Sequence, residues 1–164
     1  MLHLIDANCL IQAKNTYYGF DFCPGYWQWI DEQHQSGVLF SIDKIADELT
    51  PMQDELAAWA QAKGSSFFLP PDAMTLASYQ QITTWVYSAN FQQYAIPEFF
   101  RGADPFLIAH ALAHGHTVVT HERLANTGQR NKIKIPAVCQ HFNVPYVSIF
   151  DLLRTTGARL ELHR

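Results

Sequence analysis

At 164 residues and 48% hydrophobic content, the sequence is sized for one domain that buries most of the surface its unfolded chain exposes. A formal charge of −4 argues against coating of nucleic acid by bulk electrostatics, while leaving room for a local basic surface. Cys9, Cys23 and Cys139 are odd in number and form no Cys-x-x-Cys pair, which fits neither a disulfide framework nor a zinc ribbon.

The chain opens on Leu2 to Ile5, an apolar run ending in Asp6, Ala7 and Asn8, which predicts a buried strand whose carboxyl end meets polar groups. That start lacks a basic stretch leading into a long apolar region, and no run approaches the ~20 apolar residues that span a bilayer. A cytoplasmic protein without a membrane span is the expectation. A helix is predicted from Tyr26 to Gln35 behind the Pro24-Gly25 breaker. Val38 to Ile42 reads as a second strand, with Asp43 placed to cap a helix carrying Ile45, Glu48 and Leu49 that Pro51 ends. Asp54 to Ala62 is an alanine-rich helix closed by Gly64, and Phe67 to Leu69 a brief third strand.

After Pro70, Pro71 and Asp72 comes a longer helical region holding Leu76, Tyr79, Ile82, Val86 and Tyr87. Asp104 and Pro105 then open a helix as N-cap and N1 residues, Leu107, Ile108, Ala111 and Leu112 form its apolar stripe, and Gly115 ends it. His116 to Thr120 is the fourth strand, with His121 and Glu122 just beyond. A short helix over Ile135 to Phe142, a fifth strand at Tyr146 and Val147, and a last helix capped by Ser148 and running through Leu153 complete the chain. Strands alternating with helices predict an α/β fold with a parallel sheet covered on both faces, in one domain spanning residues 1–164.

In a parallel sheet the carboxyl ends of the strands share one edge, which brings Asp6 and Glu122 into reach of each other. Asp104 at a helix start and Glu48 one turn into another helix can face the same edge. Four converging carboxylates repel unless neutralised, and the usual neutraliser is a hard cation with oxygen ligands, Mg²⁺ or Mn²⁺. Asn8 is placed to orient the Asp6 carboxylate, and Thr120 to direct its hydroxyl at the acids or a phosphate.

Taken singly, Asp104 reads as a helix cap, Glu48 as a solvated helix residue and Glu122 as a loop acid. Arg123, Arg130, Lys132 and Lys134 fall within Arg123 to Pro136, a segment free of acids that reads either as a solvated loop or as an RNA-backbone contact. Tyr17, Tyr18 and Trp27 are available for base stacking, with core packing as the plainer reading. His110, His114, His116 and His121 raise a zinc site, against which stands the lack of His-Glu-x-x-His or partner cysteines. Phosphate-binding and nucleophile-elbow glycine motifs are absent, as is the Asp-x-Asp-x-Thr run of acid-pocket phosphatases.

The run Leu4, Ile5, Asp6, Ala7, Asn8 resembles the opening Asp-x-Asn/Ser motif of the PIN-domain nucleases. Ile45 to Leu49 is similar to their helix with the second acid, Gly102 to Ala113 to their third-acid helix, and Val118 to Glu122 to their Thr-x-Asp strand end. More closely, the sequence resembles a prokaryotic PIN-like subfamily of unknown specific function, through Gln12 to Asn15, Tyr17-Tyr18, Cys23 to Trp27 and Lys134 to Cys139. The resemblance implies a three-layer α/β/α domain with a mainly parallel sheet of about five strands. It further implies Mg²⁺- or Mn²⁺-dependent hydrolysis of RNA, a toxin role with a cognate antitoxin as in VapC-type systems, and a homodimer. In this picture Asp6, Glu48, Asp104 and Glu122 are the catalytic and metal-binding acids, with Asn8 and Thr120 orienting them. Arg123, Arg130, Lys132 and Lys134 hold the RNA. Glu122 stands where many relatives carry Asp, one methylene shorter. The alternative is a catalytically silent PIN-like scaffold that binds RNA or a protein partner.

Overall fold

The computed structural model describes residues 1–124 and 129–162. Five parallel strands, β1 (His3–Ile5), β2 (Leu39–Ile42), β3 (Phe68–Leu69), β4 (Thr117–Val119) and β5 (Tyr146–Val147), form one sheet in the order β3-β2-β1-β4-β5. The central strand β1 pairs with β2 at His3–Leu39 and with β4 at Ile5–Val119. Leu4 and Ile5 point to opposite faces, yet both are fully buried, as are Val118 and Val119. The sheet is therefore covered on both sides, in the three-layer α/β/α arrangement expected of parallel strands.

The helices are α1 (Ala7–Gln12), α2 (Pro24–Gln35), α3 (Asp43–Leu49), α4 (Glu55–Lys63), α5 (Ala73–Ser88), α6 (Ala95–Arg101), α7 (Asp104–His114), α8 (Ile135–Phe142) and α9 (Ile149–Thr155). Several start where a side chain takes up a free amide: Asp54 accepts from Ala57, Asp72 from Thr75 and Ser148 from Asp151. Asp43 does not cap α3 as expected. Ile42 occupies the cap position and Asp43 is the first helical residue. The same one-residue shift holds at α7, where Ala103 is the cap and Asp104 lies inside the helix without a side-chain capping bond.

Beyond α1, which follows directly on the Asp6 expected only to end a strand, two further elements differ from the sequence reading. One is α6; the other is a π-helical turn at Ala13–Tyr17, where the Tyr18 amide donates to the Ala13 carbonyl at 2.7 Å. Tyr18 stacks on buried Tyr26 with ring centres 4.3 Å apart, and its carbonyl accepts from the indole of Trp27 at 2.8 Å, so these two aromatics serve the core. No helix among the described residues is long and apolar enough to cross a membrane.

Candidate active site

Asp6 leaves β1 with extended backbone and caps α1, its Oδ1 accepting from the Cys9 amide at 2.9 Å. Its Oδ2 accepts from the Thr120 hydroxyl at 2.7 Å. Thr120 follows β4, continues the sheet by donating its amide to the Val147 carbonyl, and accepts from the Glu122 amide at 3.0 Å. One hydroxyl thus ties the ends of β1 and β4 together. Asp6 is only 1% exposed, and burial raises its carboxyl to about 6 despite the hydrogen bonds from Cys9 and Thr120, with the Glu122 charge adding to the rise.

Glu122 and Glu48 are each held by one oxygen. Glu122 Oε2 accepts from the Ile135 amide at 2.8 Å, at the start of α8, where the helix presents positive partial charge. Glu48 Oε1, reaching across from α3, accepts from the Ala103 amide at 2.7 Å just before α7. A Cβ at Gly102 would sit 3.4 Å from that same oxygen, so glycine there leaves the Glu48 carboxylate room. In both acids the second oxygen is left for another partner.

Asp104 spends no oxygen on capping, which removes the plain reading of it as a helix cap. Burial raises its carboxyl to about 7, with Glu122, Asp6 and Glu48 adding repulsion and Lys132 opposing it. These groups meet at a cleft of about 210 Å³ lined by Asn8, Glu48, Asp104, Glu122 and Lys132, with Glu98 on its wall. Asp6 stands behind this lining rather than in it. A larger groove of about 620 Å³ runs between α2 and residues 156–162, lined by side chains such as Phe22, Trp29 and Leu160, and holds none of the converging acids.

Other expectations are placed differently. Asn8 makes no hydrogen bond to Asp6; it is exposed and lines the cleft, while the Cys9 amide and Thr120 hydroxyl do the orienting. Of the four basic residues, only Lys132 lines the cleft. Arg130 lies over the Phe91 ring at 5.3 Å, Lys134 precedes α8 as its cap residue, and Arg123 is exposed beside Glu122. Residues 125–128 of the basic segment lie outside the described residues. Tyr17 remains 46% exposed, packed against His121 and Phe150, while His110, His114 and His116 gather elsewhere. Glu98 and Cys139 were missed: Glu98 because α6 was not foreseen, although Ala95, Ile96 and Phe99 carry its helical spacing, and Cys139 because a buried thiol near Glu122 and Asp104 leaves no trace in sequence spacing.

The donor set suits a hard divalent cation. It is all oxygen, negatively charged, and its mutual repulsion is relieved by a positive ion. Among the described residues no three His, Cys, Asp or Glu side chains already stand as a closed ligand group, so the acids would have to draw together around the ion.

A family model described as "Domain of unknown function (DUF4411)" matches residues 3–160. No curated protein matches the chain in sequence. Among solved structures, a chain in the crystal structure of VapBC2 from Rickettsia felis bound to a DNA fragment from their promoter is similar, with a TM-score of 0.54 and 13% identity over 90% of this chain and 98% of that one. At that identity the likeness is one of fold, and the fold is PIN-like.

Proposed function

The chain belongs to the DUF4411 family, and from that premise we propose that it is a Mg²⁺- or Mn²⁺-dependent endoribonuclease, the toxin of a toxin–antitoxin pair. The observation that carries this reading is the meeting of Glu48, Asp104 and Glu122 in one cleft with Asp6 behind them. Four acids from separate parts of the chain are costly to hold together in a partly buried site, and catalysis by a cation gives them a use.

Glu48, Asp104 and Glu122 would hold the ion through their uncommitted oxygens, and Asp6 through the lone pairs left beside its two hydrogen bonds. When bound, such an ion supplies water activation at neutral pH and neutralises charge on a phosphodiester. Thr120 anchors the Asp6 carboxylate, and the Ala103 and Ile135 amides anchor one oxygen each of Glu48 and Glu122, leaving Asp104 and the remaining oxygens to close on the ion. Lys132 is the basic residue in the cleft lining and is placed to hold a backbone phosphate, while Arg123, Arg130 and Lys134, outside that lining, would hold RNA beyond the cleft. The VapBC2 likeness supports looking for a cognate antitoxin and a second copy of the chain as partners in the cytoplasm.

One observation favours the silent-scaffold reading: both oxygens of Asp6 already accept hydrogen bonds, and its side chain is almost fully buried. Cleavage of a total RNA pool by wild type, Asp6→Asn and Asp104→Asn, each with Mn²⁺, Mg²⁺ or EDTA, separates the two. Cutting that needs the ion and falls at least a hundredfold in both variants supports the nuclease. Equal cutting by wild type and variants sinks the site, and saturable Mn²⁺ binding by a wild type that cuts nothing supports the scaffold.

A further inference from the structure

The end of α7 opposite Asp104 carries a second group of ligating side chains. His110 and His114 lie one helical turn apart, and His116 follows the left-handed Gly115 that ends the helix. Their ring centres are 5.0 Å (His110–His114), 5.8 Å (His114–His116) and 6.1 Å (His110–His116) apart. Three imidazoles sharing a tetrahedral ion at the usual metal–nitrogen distance have ring centres roughly 5 Å apart. The observed triangle is within about an ångström of that spacing.

Two features give the group a chemical use. Asp72, the cap residue of α5, pairs its Oδ2 with His114 Nε2 at 2.8 Å, the carboxylate–imidazole contact that fixes one nitrogen and leaves the other as donor. His110 is 6% exposed, and its Nδ1 is buried without a hydrogen-bond partner. A buried ring nitrogen left unpaired is a standing penalty that a bound ion removes. Burial and the neighbouring histidines hold His110 and His116 below the ordinary imidazole range, favouring the neutral form that ligates.

We infer that His110, His114 and His116, oriented by Asp72, form a site for a zinc-class transition-metal ion, independent of the acid cleft. The rings now lie side by side, with planes 23° to 45° apart, so they are not yet a closed ligand group. Rotation of the half-exposed His116 ring about its soft terminal torsion, with an adjustment of His114 that keeps its Nε2 on Asp72, would turn the remaining nitrogens inward. The ion would staple the end of α7 to the turn into β4, with Asp72 linking the start of α5. Imidazole donors suit Zn²⁺ or Co²⁺, whereas the carboxylates of the cleft suit Mg²⁺ or Mn²⁺.

The test titrates the metal-stripped full chain with Zn²⁺ by calorimetry and with Co²⁺ by visible absorption. Wild type, Asp104→Asn, His114→Gln and His116→Gln are compared, with circular dichroism confirming that each folds. One equivalent should bind wild type and Asp104→Asn with the intense visible bands of a low-coordinate nitrogen site. Both histidine variants should bind it at least tenfold more weakly. Absence of saturable Zn²⁺ binding by wild type, or binding lost in Asp104→Asn and unchanged in the histidine variants, would overturn the site. Because the readout is metal binding rather than RNA cleavage, it stands or falls apart from the nuclease reading.

Discussion

The hydroxyl of Thr120 donates to Asp6 Oδ2 and accepts from the Glu122 amide, so a single buried group is satisfied on both sides. Thr120→Val keeps the shape and removes both bonds, leaving a buried carboxylate oxygen and an amide unpaired. A loss of about 1–3 kcal/mol in urea unfolding is expected, with metal-dependent cleavage falling at least tenfold and Thr120→Ser restoring most of both. An unchanged unfolding midpoint would show that Asp6 finds another partner. The order of the acids along the chain and the pairing of Thr120 with them were legible, because strand ends in a parallel sheet share an edge. The role of Asn8 was not, since a neighbour two residues on is less well placed than the Cys9 amide three residues on, the geometry of any capping Asp. Nor was it legible that Asp104 sits inside α7 with its carboxylate free, because Asp before Pro gives the same pattern for a cap as for a first helical residue.

Among the elements, α7 links the two ends of the molecule, Asp104 in the cleft and His114 at the far edge. Its left-handed terminator Gly115 has φ +69, and nothing lies within 4 Å of where a Cβ would stand. Gly115→Ala therefore meets no steric clash, and its whole effect is the backbone's reluctance to adopt that conformation. A destabilisation of about 1 kcal/mol is expected by chemical denaturation, with cleavage little changed because Asp104 lies at the other end of the helix. A loss of several kcal/mol would instead mean that the turn into β4 is rearranged. Strands and most helices were readable as apolar runs or stripes set between breaker and capping residues, down to β5 at Tyr146–Val147 and α8 at Ile135–Phe142. Three pieces were not: the cap of α1 is Asp6, which also reads as a strand-end acid, α6 carries Pro97 within its seven residues, and the π turn at Ala13–Tyr17 depends on where the Tyr18 amide finds a carbonyl, which no side-chain period encodes.

At the scale of the whole molecule, the strand order places the chain's switch from one side of β1 to the other at β4, and the acids occupy the crevice outside the carboxyl ends there. Concentrating negative charge at that point has a consequence for stability. Asp6 and Asp104 are raised from 3.8 to about 6 and about 7, chiefly by burial. Between about pH 4 and those values the folded chain keeps protons that the unfolded chain has released, so stability falls as pH rises through the window, and the penalty is complete above it. Burial lowers His3, His110, His116 and His121 and so pushes stability the other way over the same range. The acid's share is read against Asp104→Asn, which keeps those histidines. Relative to that variant, the cation-free wild type should lose on the order of 2–3 kcal/mol between pH 5 and pH 8 in EDTA, several degrees in melting temperature. Mn²⁺ added at pH 8 should restore part of the loss by binding only the folded state, and Asp104→Asn should melt higher than wild type in EDTA at pH 8 while gaining less from Mn²⁺. A melting-temperature difference between wild type and Asp104→Asn in EDTA that is flat from pH 5 to pH 8 would mean that water reaches the Asp104 carboxylate freely. The site would then lack the stored repulsion that makes a divalent ion its natural occupant.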